Sequence, residues 1–133
     1  MSLLKKITFI LLTASIFTAA PSIMAKPAGK IENQTEEELL ATFDDAIESV
    51  EAVQQALENG AADKKATLAL YKKAKQNLNR IESATVNREK ERANGYLRKS
   101  RSAYKKGNME KAKEQIAKAV ASFKGLKTLY LNF

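Results

Sequence analysis

Residues 103–120 read AYKKGNMEKAKEQIAKAV, and this stretch predicts two helices joined by a very short turn. Gly107 marks the end of the first helix, because glycine adopts the left-handed conformation of a helix C-terminus at little cost. Asn108 follows at once and is a preferred N-cap for the second helix. The apolar positions of that second helix recur every three or four residues, as one buried face requires: Met109, Ala112, Ile116, Ala119, Val120 and Phe123.

A longer helix is predicted upstream, between residues 35 and 60. Thr35 and Glu38 form a capping box, in which each side chain accepts a hydrogen bond from the backbone N–H of the other residue. Gly60 is expected to end this helix in the same way as Gly107 ends the later one. The apolar stripe of the helix consists of Leu39, Phe43, Ile47, Val50, Val53 and Leu57.

Two further helices are predicted between these, separated by a break at residues 83–87; the alternative is one bent helix. Asp63 is the expected N-cap of the first, and either Ser83 or Thr85 is expected to cap the second. Gly95 lies inside the second, where it costs about 1 kcal/mol relative to alanine, so we expect a neighbouring helix to approach closely there. Their stripes are Leu70, Tyr71, Ala74, Leu78 and Ile81, then Ala93, Tyr96, Leu97, Ser100, Ala103 and Tyr104.

The four helices predict an all-α fold, namely a small antiparallel four-helix bundle made of two helical hairpins. A pair of hairpins stacked as in a helical repeat protein is the variant, although such arrays usually need three or more units. We assign the bundle domain to residues 35–133 and a flexible linker to residues 26–34.

The first 25 residues have the layout of a secretory signal peptide. Lys5 and Lys6 precede an uncharged, mostly apolar run of about 14 residues, which is short for a membrane span of about 20. Cleavage is expected after Ala25, because cleavage after Ala20 would place Pro21 next to the scissile bond. We therefore predict export to the periplasm or the medium; an uncleaved membrane anchor is the alternative.

Charge is distributed unevenly along the chain, whose formal net charge is +8. Residues 31–63 carry acidic side chains and no basic ones, whereas residues 64–133 are strongly basic. The simplest interpretation is that the acidic first helix packs beside basic neighbours in solvated ion pairs, each contributing about 0–1 kcal/mol. The alternative is a basic surface that binds an anion or a partner. Its candidate residues are Lys72, Lys73, Lys75, Arg98, Lys99, Arg101, Lys105 and Lys106.

The chain has no histidine and no cysteine, which removes most catalytic designs and the usual zinc and copper sites. We therefore predict no catalytic residue, no metal ligand and no cofactor, and hence a protein that is not an enzyme. Asp44, Glu48 and Glu51 share a helix face and could hold a hard cation weakly, but a solvated acidic face is the expected outcome.

Three tyrosines interleave with the basic residues, an arrangement also found where proteins bind single-stranded nucleic acid. Tyr71, Tyr96 and Tyr104 fall on the apolar stripes, however, so we expect their rings in the core and their hydroxyls near water. This placement argues against a nucleic-acid partner.

Two resemblances to known families bear on the function. Within residues 93–120, Tyr104, Gly107, Ala112 and Ala119 resemble the aromatic and small positions of a tetratricopeptide repeat, although Ser100 replaces the usual glycine or alanine. This resemblance implies a helical hairpin that binds peptides or partner proteins. The sequence YKKAKQNL at residues 71–78 is similar to the hairpins of small secreted bacterial metal-binding four-helix proteins. Since those proteins bind metal through histidines, this second resemblance implies the scaffold without the ligands.

These observations predict an exported, non-enzymatic protein-interaction or adaptor module of the bacterial envelope. Another protein is the expected partner, contacted by the first and last helices and an apolar C-terminal tail. The alternatives are a basic surface that binds anionic envelope components, and a bundle that carries a small molecule or metal in its core. The candidate apolar contact residues are Leu126, Leu129, Tyr130, Leu131 and Phe133.

Overall fold

The computed structural model describes residues 34–133 of the chain. Four α-helices pack together in it, and these residues contain no β-strand, which confirms the all-α prediction. A 3-10 turn at Ala84–Val86 lies between the second and third helices, so they are separate. The predicted signal peptide and most of the predicted linker lie outside the described residues. The helices are α1 Glu36–Glu58, α2 Lys64–Asn79, α3 Asn87–Lys105 and α4 Met109–Leu131.

Most of the predicted helix ends are confirmed. Thr35 Oγ1 accepts from the N–H of Glu38 at 3.2 Å, and a Glu38 carboxylate oxygen accepts from the N–H of Thr35 at 3.1 Å. The side chains of Asp63 and Asn108 cap α2 and α4. Asp63 Oδ1 accepts a hydrogen bond from the N–H of Ala66 at 3.1 Å, and Asn108 Oδ1 accepts one from the N–H of Lys111 at 3.1 Å. Each cap satisfies a backbone donor that the helix itself leaves without a partner.

The predicted cap of α3 is wrong. Neither Ser83 nor Thr85 caps this helix, because the 3-10 turn intervenes and moves the N-cap to Val86, which has no capping side chain. The turn is held from the other side, since Lys90 Nζ donates to the carbonyl of Ile81 at 2.9 Å. The Lys90 side chain on α3 thus stabilises the link between α2 and α3, where a serine or threonine cap was expected.

Glycines end α1 and α3 as predicted. Gly60 has φ +95° and Gly107 has φ +79°, both in the left-handed region that follows many helix C-termini. Ala61 also adopts this region, with φ +47°, which is uncommon for a residue with a Cβ atom. Its carbonyl accepts from the Tyr104 hydroxyl at 3.1 Å, so the α1–α2 link is tied to α3.

The apolar stripes of the four helices form one hydrophobic core. Every predicted stripe residue is buried except four that are half-buried against the core: Ile47, Leu70, Tyr96 and Met109. The largest fully buried side chains come from all four helices and include Phe43, Tyr71, Leu78, Ile116 and Phe123. Burial of each such side chain contributes about 1.5–3 kcal/mol, which is how a domain without disulfides is held together.

The prediction of a close helix approach at Gly95 is wrong. A Cβ atom built at this position would meet no other atom within 4 Å. No neighbouring helix therefore lies so close that position 95 must lack a side chain. Small residues do reach complete burial elsewhere on the same helix, where Ala93 and Ser100 are each 0% exposed.

The helices do not contact one another equally. Helix α1 packs against α2 and α4, and α4 packs against α3, whereas α2 and α3 touch much less. The Phe43 and Tyr130 rings are part of the α1–α4 contact, with their centroids 5.4 Å apart. The sparse α2–α3 contact leaves an opening between these two helices.

Candidate functional site

The opening between α2 and α3 is a cleft of about 570 Å³. We call it the cation cleft, because four of the eight predicted basic site residues line it: Lys72, Lys75, Arg98 and Arg101. The other lining residues are Leu68, Ala69, Tyr71, Asn94 and Leu97. A volume of this size falls within the range of about 300–1,000 Å³ that is typical of ligand pockets.

The cleft has an apolar floor. Tyr71 and Leu97 are almost completely buried, and Leu68 is half-buried, whereas the four cationic side chains are exposed. Tyr71, Leu97 and Leu68 therefore lie at the bottom, and the charges lie at the rim beside the exposed Ala69. The methylene stems of lysine and arginine extend such an apolar surface towards the solvent while their charges stay in water.

The cations stand in two rows, one on each wall. Lys72 and Lys75 are three residues apart on α2, and Arg98 and Arg101 are three residues apart on α3. Residues at this spacing share one helix face, about 4.5 Å apart along the axis at 1.5 Å per residue. Each wall therefore presents two positive charges in line.

None of these four cations has an ion-pair partner among residues 34–133, where the recorded salt bridges involve other basic residues. Unpaired, facing cations repel one another, and an anion placed between them relieves that repulsion. The cleft is therefore suited to a ligand with negative charge.

Basic residues near α1, unlike those of the cation cleft, form ion pairs with its acidic side chains, as the simplest interpretation of the charge pattern predicted. Lys127 Nζ lies 2.6 Å from Asp44 Oδ1, and Lys124 Nζ lies 3.0 Å from Glu51 Oε1. Arg80 reaches Asp45 at 3.8 Å. The acidic helix thus neutralises cations on α4 and at the end of α2, but none in the cation cleft.

The remaining four predicted basic residues lie outside the cation cleft. Lys73 lines a smaller cleft of about 320 Å³ between α1 and α2, together with Asp45 and Glu48. Lys99 lies over the Tyr96 ring, with Nζ 6.0 Å from its centroid. Lys105 and Lys106 are exposed at the C-terminal end of α3.

The wall of the cleft is braced by a buried hydrogen-bond chain. Tyr71 Oη and Ser100 Oγ are 2.7 Å apart, and Ser100 Oγ donates to the carbonyl of Ala112 at 2.7 Å. This chain joins α2, α3 and α4 below the cleft. Burial raises the pKa of the Tyr71 hydroxyl, an effect that the Ser100 hydrogen bond partly opposes and the nearby Tyr104 adds to.

The expectation that the tyrosine hydroxyls lie near water is wrong for Tyr71, whose hydrogen bond is buried, whereas the hydrogen bond of the Tyr104 hydroxyl is only partly buried. The hydroxyls of Tyr71 and Tyr104 make hydrogen bonds inside the fold, and their rings lie 6.0 Å apart. Tyr96 is half-buried. The Tyr71 and Tyr104 rings lie in the core, as expected.

The apolar C-terminal residues do not form a separate tail, because α4 continues to Leu131. Leu126 was expected to contribute to an apolar contact surface, but it is a core residue that is 1% exposed. Leu129 and Tyr130 are half-buried against the core. Leu131 is 57% exposed and Phe133 is 90% exposed, which makes these two the apolar side chains available at this end.

The acidic face of α1 carries Asp44, Glu48 and Glu51. Within the described part of the chain, no three acidic residues gather closely enough to hold a metal ion. Asp44 and Glu51 lie beside lysines instead. None of the helices between residues 34 and 133 combines the length and apolar character that a membrane span requires.

The sequence matches no protein-family model, no curated protein and no solved structure. The cation cleft is therefore interpreted from its own geometry and charge.

Sequence reasoning identified the rim of the cleft but not its floor. Leu68, Asn94 and Leu97 were not singled out as site residues, although Leu68 precedes Lys72 by one helical turn. A leucine one turn before a cation is common on any amphipathic helix, so this signal alone does not define a cleft.

Proposed function

We propose that this protein is an exported, non-enzymatic helical module of the bacterial envelope that binds a partner through the cation cleft. The observation that carries the proposal is a set of four cations around an apolar floor, none of which has a carboxylate partner within residues 34–133. A site of this kind provides both apolar contact and charge recognition, which are the two components of a specific interface.

The partner that we favour is another protein. The resemblance of the α3–α4 hairpin to a tetratricopeptide repeat supports this choice, because such repeats bind peptides and proteins. The export part of the proposal rests on Lys5, Lys6 and the apolar run that follows them. The absence of histidine and cysteine supports a binding role over a catalytic one.

Binding of an anionic envelope component, such as a lipid head group or polysaccharide, is the second candidate. The exposure of all four rim cations favours it. Salt discriminates poorly between the two candidates, because both depend on charge, but the apolar floor contributes only to a partner that enters the cleft.

We also propose that the helices form an antiparallel bundle of two hairpins, in which α1 runs antiparallel to α4 and α2 runs antiparallel to α3. The order of contacts supports this arrangement, since residue numbers rise on one element as they fall on the other. Between α1 and α4 the pairs are Asp44–Lys127 and Glu51–Lys124. Along α2, its flanking residues and α3 the pairs are Ala61–Tyr104, Tyr71–Ser100 and Ile81–Lys90.

The proposal is tested by comparing three forms of residues 26–133 as bait for solubilised envelope proteins: wild type, Arg98→Glu/Arg101→Glu, and Lys111→Glu/Lys113→Glu. The two double variants change the net charge equally, but Lys111 and Lys113 do not line the cation cleft. Mass spectrometry should identify proteins captured by wild type and by the α4 variant, and lost with the cleft variant. Equal capture by all three forms would show that the cleft is not the binding site.

A further inference from the structure

We infer that the cation cleft receives an amphipathic α-helix of a partner protein, with acidic residues on both sides of the apolar stripe of that helix. The inference rests on the proposed function, since it assumes that the cleft is the binding site. It adds the shape of the ligand and the placement of its charges.

The floor of the cleft favours a helix as the occupant. Leu68 and Tyr71 are three residues apart on α2, and Asn94 and Leu97 are three apart on α3. Among these lining residues the accessible side chains are those of Leu68 and Asn94, which are half-buried. Rows at this spacing form ridges along a helix surface, and the groove between two such ridges accepts the ridge of a third helix. Amphipathic helices bind in this way when their apolar face enters a groove between two helices.

The rim specifies where the ligand carries its charge. Lys72 and Lys75 stand on one wall, and Arg98 and Arg101 stand on the other. A helix lying in the groove presents one flank to each wall, so both flanks need carboxylates to meet the cations. Arginine also binds a carboxylate through two parallel hydrogen bonds, which makes the α3 wall the more selective one.

A flat anionic membrane fits this surface less well. Leu68 is half-buried whereas the four rim cations are exposed, so a flat bilayer surface would meet the cations before it reached this leucine. Membrane-binding helices instead project their apolar residues outwards on a convex face.

A second copy of the chain is also a poorer occupant. Its acidic helix α1 offers carboxylates, but the apolar stripe of α1 is already used in its own core, with Val50 and Val53 both 0% exposed. Docking of α1 would therefore supply charge without an apolar face.

The inference is tested with labelled synthetic peptides of about 18 residues, which is five helical turns. The first peptide carries a leucine stripe with glutamates on both flanks. A second has glutamates on one flank and glutamines on the other, and a third has the composition of the first in an order that destroys the stripe. Affinity is measured by fluorescence anisotropy with residues 26–133, and peptide helicity by circular dichroism.

We expect the two-flank peptide to bind about tenfold more tightly than the shuffled peptide and to gain helicity on binding, with the one-flank peptide between them. Arg98→Glu/Arg101→Glu should weaken binding of the two-flank peptide about tenfold, whereas Lys111→Glu/Lys113→Glu should leave it nearly unchanged.

Failure of the inference is separable from failure of the proposed function. Equal binding of the striped and shuffled peptides, with loss of both in the cleft variant, would overturn the helix and keep the cleft as an anion site. Indifference of all peptides to the cleft variant would overturn both. Tighter binding to phosphatidylglycerol vesicles than to any peptide, or self-association detected by sedimentation at low salt, would replace the helix with a membrane or a second copy.

Discussion

The Tyr71 hydroxyl donates its proton to Ser100 Oγ across a distance of 2.7 Å in the interior of the bundle. The direction follows from the neighbouring bond, because the single Ser100 hydroxyl proton is donated to the Ala112 carbonyl, which can only accept. Ser100 is 0% exposed and Tyr71 is 1% exposed. Ser100 thus joins α2, α3 and α4 through one side chain.

From this chain of hydrogen bonds we expect removal of the Ser100 hydroxyl and removal of the Tyr71 hydroxyl to lower the free energy of unfolding by unequal amounts. Ser100→Ala leaves the Tyr71 hydroxyl buried without a partner and should lower the free energy of unfolding by about 1–3 kcal/mol. Tyr71→Phe leaves Ser100 bonded to Ala112 and should cost about 1 kcal/mol or less. The double variant should be more stable than Ser100→Ala alone, since no unpaired hydroxyl remains. Urea unfolding followed by circular dichroism measures all three, and strictly additive effects would refute the chain.

The raised pKa of Tyr71 predicts a loss of stability at alkaline pH. The unfolded tyrosine ionises near pH 10, whereas burial keeps the folded hydroxyl protonated to higher pH. Above about pH 10 the unfolded state therefore holds fewer protons, and the free energy of unfolding falls as pH rises. Tyr71→Phe lacks this contribution, so its stability relative to wild type should improve above pH 10 and stay constant below it. A constant difference across this pH range would contradict the burial effect.

Substitution by alanine should change the free energy of unfolding in opposite directions at Gly95, inside α3, and at Gly107, just after its C-terminus. Gly95 has open space where a Cβ would lie, so Gly95→Ala should raise the free energy of unfolding by about 0.5–1 kcal/mol through helix propensity. Gly107 has φ +79°, so Gly107→Ala should lower it by about 1–2 kcal/mol. Thermal or urea unfolding of both variants tests the pair, and destabilisation by Gly95→Ala would restore a packing role for this glycine.

The apolar residues at the end of α4 should separate into core and surface positions. Leu126→Ala should destabilise the fold by about 2–5 kcal/mol, because the side chain is 1% exposed. Phe133→Ala should leave stability within about 0.5 kcal/mol, because this side chain is 90% exposed. Urea unfolding measures both effects. A binding test of this end should consequently use Leu131 and Phe133 variants and leave Leu126 in place.

The four helices could be predicted from the sequence because apolar spacing and capping residues are local signals. Thr35, Asp63 and Asn108 all cap where their position before an apolar stripe indicated. The cap of α3 could not be predicted, since the 3-10 turn at Ala84–Val86 packs against α4 and buries Val86, a tertiary contact that the local sequence does not reveal.

The rim cations of the site could be predicted as a group but not as a cleft. Composition indicated a basic surface, yet Lys73 and Lys99 carry the same charge as Lys72 and Arg98 and lie elsewhere. Consecutive residues point to different faces of a helix, and the packing of the helices decides which of those faces borders a cleft. The ion pairs between α1 and α4 likewise decide which cations remain without a partner.

The most direct measurement of the central claim is an NMR titration of isotope-labelled residues 26–133 with the two-flank acidic peptide. The account predicts that backbone amide shifts concentrate at residues 68–75 and 94–101, on the two walls of the cation cleft, and that they vanish in Arg98→Glu/Arg101→Glu. Shifts centred on Leu131 and Phe133, or spread evenly over every exposed lysine, would contradict a binding site between α2 and α3.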